Sequence, residues 1–276
     1  MAVRIALVQM DVLNDQPDAN LARFEKRLRE AAESGAELVV FPENCVSGGG
    51  ARITDLADAH GSYRQTMQRL AAAYRVDLVP GSQHEREPDG KTFNTTYYID
   101  RGGEVLARYR KVNLWVSEKT YVTPGDRTTV CDTRFGRVGL AICWDLAFPE
   151  PFRDMFHQQA RLAVCPSSWC LEDAGSGQRH NHAAEQLLID ACCSARAIEN
   201  EMALAFCNRA GARQGRKGPS TSAGHTQLAL PFIGPAAILE HNREAVLLHD
   251  LDTDILDEAE RSYEIRKDLL EPGETQ

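Results

Sequence analysis

The chain has 276 residues, 43% hydrophobic and 26% charged, with a formal net charge of −9 and a pI near 5.4. That composition is enough for an ordinary globular core, and its acidic balance argues against a nucleic-acid partner, which calls for a basic face. No apolar run approaches the roughly 20 residues of a membrane span, and MAVRIALV meets polar residues too early for a signal segment; no membrane partner is expected, and the default location is cytoplasmic.

Residues 3–9 read as a strand. Residues 18–34 read as an amphipathic helix, with Leu21, Phe24, Leu28 and Ala31 at helical spacing. Residues 37–41 (ELVVF) form the short continuous apolar run of a strand buried on both faces. A helix over 61–75 and a strand over 77–81 follow. Strands 93–100 and 104–110 flank Arg101-Gly102-Gly103, a hairpin signal. Strands 137–143 and 162–166 are separated by a helix starting near Pro149-Glu150, where proline and an acid suit a first turn. A long helix over 180–200 leads to strand 203–208. Residues 211–224, rich in Gly, Ser, Arg and Lys, read as a mobile surface loop. Strands 227–230, 236–239 and 245–248 and a helix over 252–268 close the chain. This mixture predicts a single α/β layered domain over 1–276, with a mixed sheet or two sheets.

The eight cysteines show no C-x-x-C spacing, and several sit in apolar runs, as buried small hydrophobes do. H-E-x-x-H is absent, and the histidines do not pair with cysteines at ligand spacing, so neither metal nor organic cofactor is expected. The absence of G-x-S-x-G removes the common serine-hydrolase elbow.

Three apolar runs stop abruptly on reactive side chains: LVVFP on Glu43, VLARYR on Lys111 and VGLAI on Cys143. Any one of these alone is more often a solvated strand end or a buried thiol. Converging outside the carboxyl ends of strands, where α/β folds bind ligands, they supply a base, a cation and a nucleophile. A carboxylate can take the thiol proton, and an ammonium can stabilise the charge that builds on a carbonyl oxygen. The protonated carboxyl can then protonate a departing amine.

In order and spacing these segments resemble the nitrilase superfamily of carbon–nitrogen hydrolases, over nearly the whole chain. Residues 3–10 (VRIALVQM) resemble its opening strand, and 37–44 (ELVVFPEN) the segment of its general-base glutamate, here Glu43. Phe93-Asn94-Thr95 and residues 103–111 (GEVLARYRK) resemble the stretch ending in its lysine, here Lys111. Residues 137–150 (RVGLAICWDLAFPE) resemble its nucleophile segment, with Cys143, and 195–208 its later helix-to-strand junction. The resemblance implies a four-layer α-β-β-α sandwich, assembled at least as a homodimer. It also implies a second glutamate before a P-G-D turn. Glu118, ahead of Pro124-Gly125-Asp126, matches it and would orient Lys111 and substrate, against the plainer reading of a loop ion-pair partner. The backbone N–H of Trp144 would meet the oxyanion. Trp169 either packs against substrate or is an ordinary core tryptophan. Asp145 after Cys143-Trp144, where nitrilases carry Glu, and the modest chain length favour an amidase or N-carbamoyl amidohydrolase acting on a small amide or carbamoyl compound. The alternatives are a nitrilase, an acyl transferase and a catalytically silent binding protein of the same fold.

Overall fold

The computed structural model describes residues 2–49, 52–215 and 218–270. Strands β1 (Ala2–Gln9), β2 (Leu38–Val40), β3 (Asp77–Val79), β4 (Ser82–Arg86), β5 (Thr92–Ile99) and β6 (Val105–Arg110) build most of one sheet. Strands β7 (Thr129–Thr133), β8 (Gly136–Leu140), β9 (Leu162–Pro166) and β10 (Ala203–Cys207) build most of a second. After a separate hairpin, β11 (Ala212–Gly215) with β12 (Gly218–Thr221), the chain rejoins the second sheet as β13 (Gln227–Leu230) and β14 (Gly234–Ile238). It returns to the first as β15 (Ala245–Asp252). Among the described residues the orders are β15-β1-β2-β3-β5-β4, with β6 on β5, and β14-β13-β10-β9-β8-β7. The centre of each sheet is parallel, β1–β2–β3 in one and β8–β9–β10 in the other, and these strands are the apolar runs legible in the sequence.

Alternation along β1 shows how the layers stack. Val3, Ile5 and Leu7 share one core with Val138 and Leu140 of the second sheet. Ala6 and Val8 share another with Phe24 and Leu28 of α1 (Pro17–Glu33) and Met67 of α2 (Ser62–Tyr74). On the far side, α3 (Pro149–His157) packs so closely on β8 that a Cβ at Gly139 would lie 2.5 Å from Met155 Sδ. Helix α4 (Ala184–Glu199) adds Ile189, Cys193 and Ala197 to that core. The result is the expected α-β-β-α sandwich. No helix among the described residues is long and apolar enough to cross a membrane.

Several expectations are corrected in detail. Residues 211–224 are not a loop: β11 and β12 pair from Ala212↔Thr221 to Gly215↔Gly218, and Thr221 N–H donates to Glu172 at 2.7 Å. Residues 216–217 of that segment, like 271–276 of the expected domain, lie outside the described residues. Strands β4 and β7 carry too many polar residues to be read as strands. The 137–143 strand ends at Leu140, and the 180–200 helix begins only at Ala184. The last helix is two, α5 (Asp254–Tyr263) and α6 (Ile265–Leu270), broken where Glu264 takes φ +54°.

The turn between β3 and β4 fixes the loop that carries Glu43. Gly81 has φ +80°, and a Cβ there would stand 2.1 Å from Pro42 O. Gly81→Ala is expected to cost about 2–4 kcal/mol through the left-handed backbone and the clash. Gly90→Ala, also at positive φ but with nothing within 4 Å, should cost only about 1 kcal/mol. Urea unfolding of the two variants checks the difference, and equal losses would remove the steric role of Gly81.

Candidate active site

The structure brings Glu43, Lys111, Glu118, Cys143, Trp144 and Trp169 to one cavity of about 180 Å³. Glu43 lies just past β2, where its N–H donates to Ser167 O at 3.2 Å, joining the first sheet to the end of β9 in the second. Lys111 is the residue after β6. Its N–H donates to Asn94 O at 2.9 Å and its carbonyl accepts from Gly125 N–H at 2.8 Å. Gly125 belongs to the P-G-D turn and is glycine for room, because a Cβ there would lie 2.2 Å from Arg110 O.

Cys143 opens a 3-10 turn, 143–147, in which its own φ is +46°. A non-glycine residue in that region is strained by about 1–2 kcal/mol, and surrounding contacts must hold it there. Asp145 supplies them. Its Oδ2 accepts from Ile142 N–H at 2.9 Å and Tyr109 O–H at 2.7 Å, and its Oδ1 accepts from Asn113 N–H at 2.8 Å and Asn113 Nδ2 at 3.0 Å. One fully buried carboxylate thus ties the elbow to the strand end that bears Lys111.

The polar centre is a chain of buried charges. Lys111 Nζ donates to Glu43 Oε1 at 2.9 Å and to Glu118 Oε2 at 2.6 Å. Asn94 Nδ2 bridges the same two carboxylates, reaching Glu43 Oε1 at 2.8 Å and Glu118 Oε1 at 2.9 Å. Trp115 N–H adds a bond to Glu118 Oε2 at 2.8 Å. Both oxygens of Glu118 are therefore engaged. Both donors to Glu43 converge on Oε1, leaving Oε2 without a donor among the described residues. Lys111 uses two of its three N–H groups, and the third is uncommitted.

The protonation states follow from burial and these neighbours. Burial alone would push the Lys111 ammonium down, but the carboxylates of Glu43 and Glu118 outweigh it and hold the pKa well above the usual lysine value. For Glu118 burial acts upward and loses to Lys111, so its pKa falls below the ordinary carboxylate value. Burial drives the Cys143 thiol well above its ordinary range and Glu43 adds to this, while Lys111 and the Ser168 backbone amide oppose it. Cys143 is thereby held as a thiol rather than a thiolate.

Around this centre stand all three tryptophans of the chain. Trp144 is edge-on to Trp115, with ring centroids 4.5 Å apart, and lies 5.3 Å from Trp169, whose indole N–H donates to Glu185. Trp115 and Tyr121 line the cavity but carried no chemical signal in the sequence. Asn94 was legible only as part of Phe93-Asn94-Thr95, since a lone asparagine in a strand announces nothing.

Two stacked mixed sheets carrying a cysteine, two acids and a lysine at one cavity define the class: a nitrilase-superfamily hydrolase. More narrowly, the chain belongs to the carbon–nitrogen hydrolase family, whose model, "Carbon-nitrogen hydrolase", matches residues 4–261. It is 31% identical to the (R)-stereoselective amidase of Pseudomonas sp over 278 residues, covering 99% of this chain and 94% of that one. It is 29% identical to the probable nitrilase C965.09 of Schizosaccharomyces pombe, covering 95% and 93%. A solved variant of the amidase from Nesterenkonia sp. AN1 is 26% identical, with a TM-score of 0.77 and 96% of both chains covered. In that structure the acetamide moiety of fluoroacetamide is covalently added at the active site cysteine.

Behind the cluster, His84 is 1% exposed and neither ring nitrogen has a partner among the described residues. Burial holds its pKa down at about 4, against 6.5 ordinarily, with Glu118 pulling up and Lys111 down. Between those values the unfolded chain binds a proton that the folded chain refuses, so stability falls as pH drops. The loss from this side chain should approach about 3 kcal/mol by pH 4. Urea unfolding at neutral pH and near pH 4 is expected to show a larger acid loss for the parent protein than for His84→Leu. Equal losses would remove His84 from the acid sensitivity.

Proposed function

We propose that this protein is an amidase that hydrolyses the carbon–nitrogen bond of a small linear amide or N-carbamoyl compound through a covalent intermediate on Cys143. The observation that carries this reading is the hydrogen-bond account of the cluster. One oxygen of Glu43 and one N–H of Lys111 remain unspent in the cavity that Cys143 lines. Those are the acceptor a buried thiol needs and the donor a developing oxyanion needs.

In this mechanism Glu43 Oε2 takes the thiol proton as Sγ adds to the carbonyl carbon. The free N–H of Lys111 and the backbone N–H of Trp144 hold the oxyanion. On collapse the carbon–nitrogen bond breaks and the protonated Glu43 delivers its proton to the leaving nitrogen, which departs as ammonia from a primary amide. The product is a thioester. Water then gives a proton to Glu43 and adds to the thioester carbon, and the acid leaves as the thiol regains the proton. With an N-carbamoyl compound the intermediate is a carbamoyl-enzyme, and ammonia follows from breakdown of the released carbamate. Glu118, with both oxygens engaged, orients Lys111 and keeps it charged.

The amidase relatives and Asp145 at the elbow support amides over nitriles as substrates. Leu187, Phe232 and Ile233, large apolar side chains at 45–62% exposure, support assembly as a homodimer.

Ammonia release from a panel of small amides, N-carbamoyl compounds and nitriles tests the reading. Amides or carbamoyl compounds should release ammonia, and Cys143→Ala should lower the rate at least about 10³-fold. Activity confined to nitriles would overturn the amidase assignment, and full activity in the variant would overturn the covalent mechanism.

A further inference from the structure

Trp169 lines the Cys143 cavity, and both its backbone and its ring are held. Its N–H donates to Asn208 Oδ1 at 2.8 Å, and its carbonyl accepts from Ala223 N–H at 2.9 Å and Asn208 Nδ2 at 3.2 Å. The indole lies against Trp144 and Phe206, with ring centroids 5.3 and 6.5 Å away, and its N–H donates to Glu185. That N–H is the one polar group an indole has, so the bond to Glu185 is what fixes the rotation of the ring.

Glu185 is the second residue of α4 and only 7% exposed. Its carboxylate has no other hydrogen bond and no ion pair among the described residues. An acid suits the first turn of a helix, but a solvated side chain gives that effect as well, so the dipole does not account for the burial. Burial raises the Glu185 pKa, and the Trp169 N–H works against this. Asp173, on the cavity wall, is raised to about 6 by its own burial, and Glu185 adds to the rise. A carboxylate kept under cover by one neutral donor is costly, and an apolar pair in place of the acid and the indole N–H would avoid the cost. What the bond supplies in return is a ring on the cavity that cannot turn.

At about 180 Å³ the cavity is below the roughly 300–1,000 Å³ of drug-sized sites, so the placement of one indole decides how long a substrate fits. We propose that Glu185 is a positioning residue for substrate selection: by fixing Trp169 it makes that ring a rigid wall that limits the acyl chain of the amide. This rests on the amidase reading above and adds a limit on chain length, together with the residue that enforces it.

Two probes that differ by two methylenes, butyramide and hexanamide, read the wall. The ratio of kcat/KM values is measured on the parent enzyme, and binding by calorimetry on full-length Cys143→Ala. Butyramide is expected to be favoured at least about tenfold in both. Glu185→Leu should lower that preference at least about threefold, chiefly through a smaller KM for hexanamide. Glu185→Gln, which keeps an acceptor for the indole, should hold it within about twofold of the parent. In the Trp169→Phe background, which keeps a ring without the N–H, Glu185→Leu should change the preference no further. Should Glu185→Leu not fold, Trp169→Phe makes the same cut from the other side and should lower the preference as much. An unchanged preference in these variants, or additive effects in the double variant, leaves Glu185 a purely structural residue and overturns the proposal. Equal handling of both amides by the parent overturns the wall and leaves the amidase reading standing. Turnover of neither, with butyramide still bound more tightly by Cys143→Ala and that preference reduced by Glu185→Leu, supports the wall and removes the amidase reading.

Discussion

A lysine ammonium held between two buried carboxylates is the constraint on which the site depends. Lys111 is 1% exposed, and without Glu43 and Glu118 its charge would be lost to desolvation. Equally, the two carboxylates would repel each other without the lysine between them. Asn94 makes the arrangement specific by donating to both acids from a fixed place on β5. Besides Asn94 Oδ1, the cluster leaves one oxygen of Glu43 and one N–H of Lys111 without a partner among the described residues. Glu43 and Lys111 both line the cavity that Cys143 lines.

The fold brings these groups together because the layers are stacked sheets. Glu43 and Lys111 come from strand ends of the first sheet, and Cys143 from the second, so the reactive atoms meet across the inter-sheet core. Two backbone-level ties hold the sheets in register there. Glu43 N–H donates to Ser167 O, and Asp145 bonds both to the elbow and to Asn113 beyond Lys111. Asp145 thereby pays for the positive φ of Cys143. Its identity matters as bracing.

Much of this was legible in the sequence, for identifiable reasons. Central parallel strands are buried on both faces and appear as apolar runs, and each run bearing a reactive group stops on it. What escaped was structure built from buried polar side chains. β4 is Ser-Gln-His-Glu-Arg, four of them buried, and no hydrophobic pattern reveals it. The 211–224 segment looked like a loop by composition, yet its backbone pairs as a hairpin and brings Arg213 to the cavity. Arg209 resembles any charged residue after a strand, and only its burial with a single hydrogen bond sets it apart. The strain at Cys143 was hidden as well, since a strand pattern running through residue 142 gives no sign of a left-handed turn beginning at the next residue.

The central claim is that Glu43 activates a thiol that burial would otherwise keep inert. Cys143 is 8% exposed, whereas Cys192 is partly exposed and lies away from the cluster. The most direct measurement is the rate of iodoacetamide alkylation of each cysteine at neutral pH, followed by peptide mass mapping, in the parent protein and in Glu43→Gln. The account predicts that Cys143 reacts ahead of Cys192 despite its burial, and that Glu43→Gln slows it at least about tenfold while leaving Cys192 unaffected. Cys143 reacting more slowly than Cys192, or at the same rate with and without the Glu43 carboxylate, would contradict it.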